Sequence, residues 1–174
     1  MVAPSESVYR AARRAFIAAC EAAHVDPIAR LHPSRGPDGK PLFMDCAALG
    51  PRLATRAVLV TANDAVGSAA LAELLKAPPG LPEDTRLVLI HALDPAAFAG
   101  VKGDAAWPAA MLAAVATEDL SRVLKLDILP LNQLEPEPIR ALSLACPEIV
   151  MTCHGPPPMT LDEALALIAS IFGR

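Results

Sequence analysis

Apolar and polar positions alternate along this chain with two different periods. From Ser5 to Ala23 the spacing is helical: Val8, Ala12, Phe16, Ala19 and Ala23 fall on one face, and Arg10, Arg13, Arg14 and Glu21 on the other. Ile28 to Pro33 and Leu42 to Leu49 read as two strands around Ser34-Arg35-Gly36-Pro37-Asp38-Gly39, a cluster of turn residues that predicts a hairpin. Ala57 to Thr61 and Arg86 to Ala92 are continuous apolar runs, the signature of strands buried on both faces. A helix from Asp64 or Ser68 to Lys76 joins them and stops at Pro78-Pro79-Gly80. Trp107-Pro108 opens a helical stretch with Met111, Leu112, Val115, Leu120, Val123 and Leu124 at helical spacing. Leu126 to Leu129 is a short strand, Pro138 to Cys146 a short helix, and Glu148 to Thr152 a final strand. Thr160 and Glu163 form a capping box for a last helix with Leu161, Leu165, Ile168 and Phe172 as its apolar stripe.

Alternating buried strands and amphipathic helices predict an α/β fold. The expected architecture is a single three-layer α/β/α domain over residues 1–174, with a mixed, mainly parallel sheet and an N-terminal antiparallel hairpin. Sites in such sheets form beyond the carboxyl ends of the strands. That rule directs attention to Asn63, Asp64, His91, Asp94, Asn132, Cys153 and His154.

Composition narrows the function classes. Of the 174 residues 53% are hydrophobic, yet only 3% are aromatic, so nothing offers a stacking platform for nucleic-acid bases. A formal net charge of -4 also argues against nucleic acid or an anionic membrane as partner. Lys102 and Asp104 interrupt the Ala-rich stretch before it could span a bilayer, and the first residues lack the apolar core of a secretory signal. The expected location is cytoplasmic. Cys20, Cys46, Cys146 and Cys153 form no C-x-x-C pair and are read as small buried hydrophobes. The sequence contains no phosphate-binding loop, dinucleotide fingerprint or nucleophile elbow.

Three stretches resemble a bacterial family related to zinc carboxypeptidases. They are the helix and hairpin YRAARRAFIAACEAA…HPSRGPDGKPLFMDCAALGP, the strand and helix AVLVTANDAVGSAALAELL, and the strand and turn LPEDTRLVLIHALDPAAFA. The resemblance covers about the first hundred residues and implies the fold of that family. It also exposes departures. The family carries His-x-x-Glu, two zinc ligands, in the loop that here reads Thr61-Ala62-Asn63-Asp64-Ala65-Val66-Gly67 and holds neither residue. Its Asn- and Arg-rich substrate segment is replaced by VKGDAAWPAAMLAAVATEDL, and the chain ends short of the family's full catalytic domain. The resemblance therefore implies an inherited fold without peptidase chemistry.

On that reading the chain is a binding or interaction module for an unidentified small molecule or protein, with a candidate pocket at Asn63, Asp64, His91, Asp94 and His154. No cofactor and no metal is expected. The alternative is a metal-dependent hydrolase of peptide or amide bonds with a rebuilt zinc site on Asp64, His91 and His154, which requires the three to converge. A third reading makes Ala105 to Ala116 an apolar face buried in a homo-oligomer. Structural readings stand beside these. Asp64 is expected to cap a helix and Asn63 to do the same or hold a left-handed turn; His91 is expected to hydrogen-bond at a strand end. Cys153 is expected to pack, His154 to be a solvated loop residue, and His24, His32, Glu135 and Glu137 to lie on the surface. A triad of Ser68, His154 and Asp127 can be drawn from the sequence but rests on common residue types alone.

Overall fold

The computed structural model describes residues 6–131 and 136–154, together with 162–163, 166 and 170–171. Among them, six strands form one mixed sheet in the order β1-β2-β4-β3-β5-β6. The elements follow the chain as α1 (Val8–Ala22), β1 (Ile28–Arg35), β2 (Pro41–Leu49), β3 (Arg56–Ala62), α2 (Ala65–Lys76) and β4 (Thr85–His91). Then come α3 (Pro95–Phe98), α4 (Trp107–Asp119), β5 (Lys125–Pro130), α5 (Pro136–Ala145) and β6 (Val150–Cys153). The hairpin β1–β2 is antiparallel, and β2 also runs antiparallel to β4. β4, β3, β5 and β6 are mutually parallel. The expected mixed, mainly parallel α/β sheet is therefore the observed one.

Strand alternation sends each side chain to one of two cores. Val58, Val60, Leu87, Leu89 and Leu129 meet Phe16, Cys20, Leu71 and Leu75 of α1 and α2 on one face, where Ile171 also packs. Ala57, Leu59, Val88, Ile90, Leu126 and Ile128 meet Leu112, Val115 and Leu142 of α4 and α5 on the other. β3 and β4 are buried along almost their whole length, which is why they read as unbroken apolar runs.

Several local expectations need correction. The buried stripe of α1 is Tyr9, Phe16, Ala19 and Cys20, whereas Val8 is exposed. The helix is rotated because Tyr9 and Arg13 face the hairpin. α4 ends at Asp119; Val123 is still buried, but from the following turn, and Leu124 is exposed. His32 is buried against Trp107, with ring centroids 4.6 Å apart, while its Nδ1 accepts from the Ser34 N–H at 3.0 Å. His24 is exposed as expected and takes a left-handed φ of 55° just past the end of α1. Asn132, Glu135, Leu161, Leu165, Ile168, Phe172 and Thr160 lie outside the described residues; 162, 163, 166, 170 and 171 are helical.

Candidate functional site

The chain leaves β3 toward α2 on one face and leaves β4 and β5 toward α4 and α5 on the other. This divergence creates the crevice at the carboxyl end of β3 that parallel α/β sheets use for ligands. Here the described loop side chains bond to nearby backbone. Asn63 Oδ1 accepts from the Asp94 N–H at 2.8 Å, tying the loop after β3 to the loop after β4. Asp64 is the N-cap of α2 and accepts from the Gly67 N–H at 2.7 Å. Asp94 caps α3, accepting from the Ala97 N–H at 2.9 Å. Between them the first turn of α2 lies directly on the sheet. A Cβ on Gly67 would stand 2.9 Å from Ala62 Cβ and 3.2 Å from Leu131 Cβ, so only glycine allows this approach. Ala92, immediately after His91, takes a left-handed φ of 57° and donates its N–H to the Ala62 carbonyl at 2.7 Å.

His91 sits below this surface, fully buried on the α1 face. Its ring stacks on Phe16 at 5.3 Å and lies 6.1 Å from Tyr9 and 6.0 Å from Phe98. Neither ring nitrogen makes a hydrogen bond, and Nδ1 is 3.7 Å from Asp45 Oδ2. The expected strand-end hydrogen bond of His91 is thus not formed; aromatic packing holds the ring. Asp45 is itself fully buried and receives a two-point contact from Arg13, at 2.7 and 2.8 Å. Burial would raise the Asp45 carboxyl, but the neighbouring His91 and Arg13 outweigh it and hold it below its ordinary value. Tyr9 completes the cluster. β4 ends opposite Asp45, which leaves the backbone of Phe43 beyond its reach. The Tyr9 hydroxyl donates to the Phe43 carbonyl at 2.9 Å and accepts from the Phe43 N–H at 2.7 Å. One turn of α1 before Arg13, Arg10 grips Asp38 in the hairpin turn at 2.9 and 3.1 Å.

His154 lies elsewhere. It follows β6 and extends its ladder, donating its N–H to the Ile128 carbonyl at 2.8 Å. Its Nε2 is 2.9 Å from Asp127 Oδ1, while Arg56 Nη2 reaches Asp127 Oδ2 at 3.2 Å. Burial would raise the Asp127 carboxyl; the contacts from His154 and Arg56 hold it below its ordinary value instead. Arg56, Lys125, Asp127, Thr152 and His154 line a cavity of about 190 Å³ at the β5–β6 edge. His154 is therefore a paired, half-buried side chain and not a free loop residue. Cys153, by contrast, is exposed, against the expectation that it packs. Burial nevertheless raises its thiol, as it does Cys20 to about 11 and Cys46 to about 12, so none is an activated thiolate.

The structure thus joins Asn63 to Asp94 and His154 to Asp127 and gives Asp64 a separate partner within its own helix. Ser68 is buried with no hydrogen-bond partner for its hydroxyl among the described residues, so the drawn triad is reduced to its His–Asp pair. Zinc requires three or more side-chain donors converging in one place. Among the described residues no group of three or more His, Cys, Asp or Glu could hold a metal ion. The described donors therefore do not form a zinc site. Sequence reasoning missed Asp45 and its Arg13 and Tyr9 partners. A signal existed: an acidic residue inside the apolar strand PLFMDCAAL must bring a cation with it when buried.

The fold matches the crystal structure of a candidate Zn-dependent exopeptidase from Bacteroides vulgatus, with a TM-score of 0.57, 9% identity, and coverage of 97% of this chain and 86% of that one. Weaker likenesses include glutaminyl cyclases from Fimbriiglobus ruber (TM-score 0.45, 14% identity, 71% of this chain and 53% of that one) and Porphyromonas gingivalis (0.45, 13%, 97% and 74%). No curated protein matches the sequence. Residues 6–102, more than half of the chain, match the family described as "Protein of unknown function (DUF2817)", and the chain belongs to that family. The matched span contains all three stretches that carry the resemblance, and these are the stretches that meet around Asp45, His91 and Asn63. Among the described residues no helix is long and apolar enough to cross a membrane.

Proposed function

We propose that this chain is a zinc-peptidase-like domain, one unit over residues 1–174, that lacks peptidase activity and acts as a binding module for a small molecule or protein. The observation that carries the reading is the commitment of the strand-end residues. Asn63 and Asp64 each spend a side-chain oxygen on a backbone N–H, Asp94 caps the next helix, and His91 is sealed among aromatic rings. A hydrolytic centre needs these groups free and convergent. The Gly67 approach brings the first turn of α2 close against Ala62 and Leu131 at this end of the sheet. Of the five residues expected to line a pocket, His154 borders a cavity of about 190 Å³, and the reading places binding there.

The test is elemental analysis of the purified protein before and after incubation with zinc and dialysis, joined to hydrolysis assays on peptides and amides. The expected result is no retained zinc and no hydrolysis. Retention of about one zinc per chain together with hydrolysis overturns the proposal. It would favour a rebuilt metal site and direct mutagenesis to Asp64, His91 and His154.

A further inference from the structure

The cavity at the β5–β6 edge has an unbalanced charge. Arg56, Lys125, Asp127, Thr152 and His154 come from three neighbouring strands and from positions of like parity, so their side chains stand on the same face of the sheet. Both oxygens of Asp127, the one acidic side chain lining the cavity, are already occupied, one by His154 and the other by Arg56. Arg56 spends Nε and Nη2 on Asp127 and on the Ile171 carbonyl, and its Nη1 makes no hydrogen bond among the described residues. Lys125 is exposed and has no ion-pair partner among them. A guanidinium edge, an ammonium, an imidazole and the Thr152 hydroxyl therefore border one small space in which, among the described residues, Asp127 is the one acidic side chain.

We propose that this cavity is a binding site for a small oxyanion, a phosphate or a carboxylate group on a small molecule. Guanidinium and ammonium donors hold such groups by charge-assisted hydrogen bonds. Asp127 has a positioning function: it orients the imidazole of His154 and the plane of Arg56 toward the space. A volume of about 190 Å³ admits a phosphate or a short dicarboxylate and excludes a folded partner. A purely structural reading of the same residues explains Arg56 and Asp127, which tie β3, β5 and Ile171 together. It also accounts for His154, which bonds Asp127, but it gives the exposed Lys125 ammonium, which opens onto the same cavity, only a longer-range attraction to that carboxylate. The proposal gives the binding reading a site and a ligand class. It rests on that reading only in requiring that the chain bind something, since the zinc and peptidase assays test a different part of the molecule.

The experiment titrates the protein with inorganic phosphate and, separately, with succinate, following the His154 ring resonances by NMR and the heat by calorimetry. The expected result is a saturable one-to-one shift with at least one of the two, weakened by added sodium chloride. The tighter arm identifies the group as phosphate or carboxylate. Lys125→Ala should weaken binding about tenfold. Lys125→Arg should restore most of it. A linear, unsaturable response to both anions overturns the proposal, as does a Lys125→Ala protein that binds as well as the parent. The Lys125 side chain is exposed and makes no hydrogen bond or close ion pair among the described residues, so its substitution tests binding with little effect on folding.

Discussion

Two clusters on the same face of the sheet use the same three residue types and reach opposite ends. Asp45, Arg13 and His91 sit at the carboxyl end of β4; Asp127, Arg56 and His154 sit at the β5–β6 edge. Each has an aspartate inside an apolar strand and an arginine reaching it from a neighbouring element. The difference is the lid. α1 lays Tyr9 and Phe16 over the first cluster, and the His91 side chain has 0% of its surface exposed. At the second, the helical residues Ser170 and Ile171 border the cavity without closing it, and the His154 side chain keeps 25%. One set of residues is a fastening and the other is a mouth. Side-chain chemistry alone therefore does not distinguish structure from function in this fold; the neighbouring helix decides.

The comparison breaks most easily at the aspartates. Asp45→Ala would strand Arg13 at the hairpin and leave His91 without the carboxylate beside it. Because Arg13 retains 26% exposure, the cost is placed at about 3 kcal/mol, the lower end for an interrupted buried pair. Asp127→Ala should cost about 1–2 kcal/mol, since His154, unlike the sealed His91, reaches water and Arg56 keeps its bond to the Ile171 carbonyl. Urea denaturation of the two variants beside the parent measures the difference. Equal losses would mean that α1 contributes no protection and that the contrast drawn from burial is wrong.

Acid should sharpen the same contrast with a smaller effect. The Asp45 carboxyl is held below its ordinary value, with Arg13 and Tyr9 facing it from α1 and His91 from β4. A depressed carboxyl stabilises the fold above its unfolded value of about 3.9, and that stability disappears as pH falls through the depressed value. Stability should thus decline below about pH 4. Asp45→Asn should flatten that decline more than Asp127→Asn does. The measurement is the urea midpoint followed from pH 6 downward; identical slopes in the two variants would remove the distinction between sealed and open clusters.

The reasons for these differences also explain what could be read in the chain. β3 and β4 were legible because burial on both faces writes an unbroken apolar run, and the RGPDG turn was legible because Gly39 must take a φ of 73° there. The capping function of Asp64 was legible for the same local reason: its partner is three residues away. Contacts across long separations were not. Asp45 meets Arg13 across 32 positions, and Asp127 meets Arg56 across 71. No periodicity encodes those pairings; what the sequence carries is only the cost of a lone acid in an apolar strand. Val8 was assigned to the buried face of α1 because helical spacing fixes a stripe but not its rotation. Tyr9 set the rotation by satisfying the Phe43 backbone beyond the end of β4.

The smallest expected effect is at the mouth itself. Lys125→Ala and His154→Gln should each change stability by no more than about 0.5 kcal/mol. Lys125 contributes to no core, and His154 can surrender Asp127 to Arg56, which already holds the second oxygen. Gln can still donate to the Asp127 carboxylate while removing the imidazole. Thermal and urea unfolding of both variants provide the measurement. A loss near that of Asp45→Ala at either position would make the open cluster a second fastening. Near-neutral stability together with lost anion binding would show that the same aspartate–arginine–histidine arrangement, left uncovered, has been turned from holding the fold to holding a ligand.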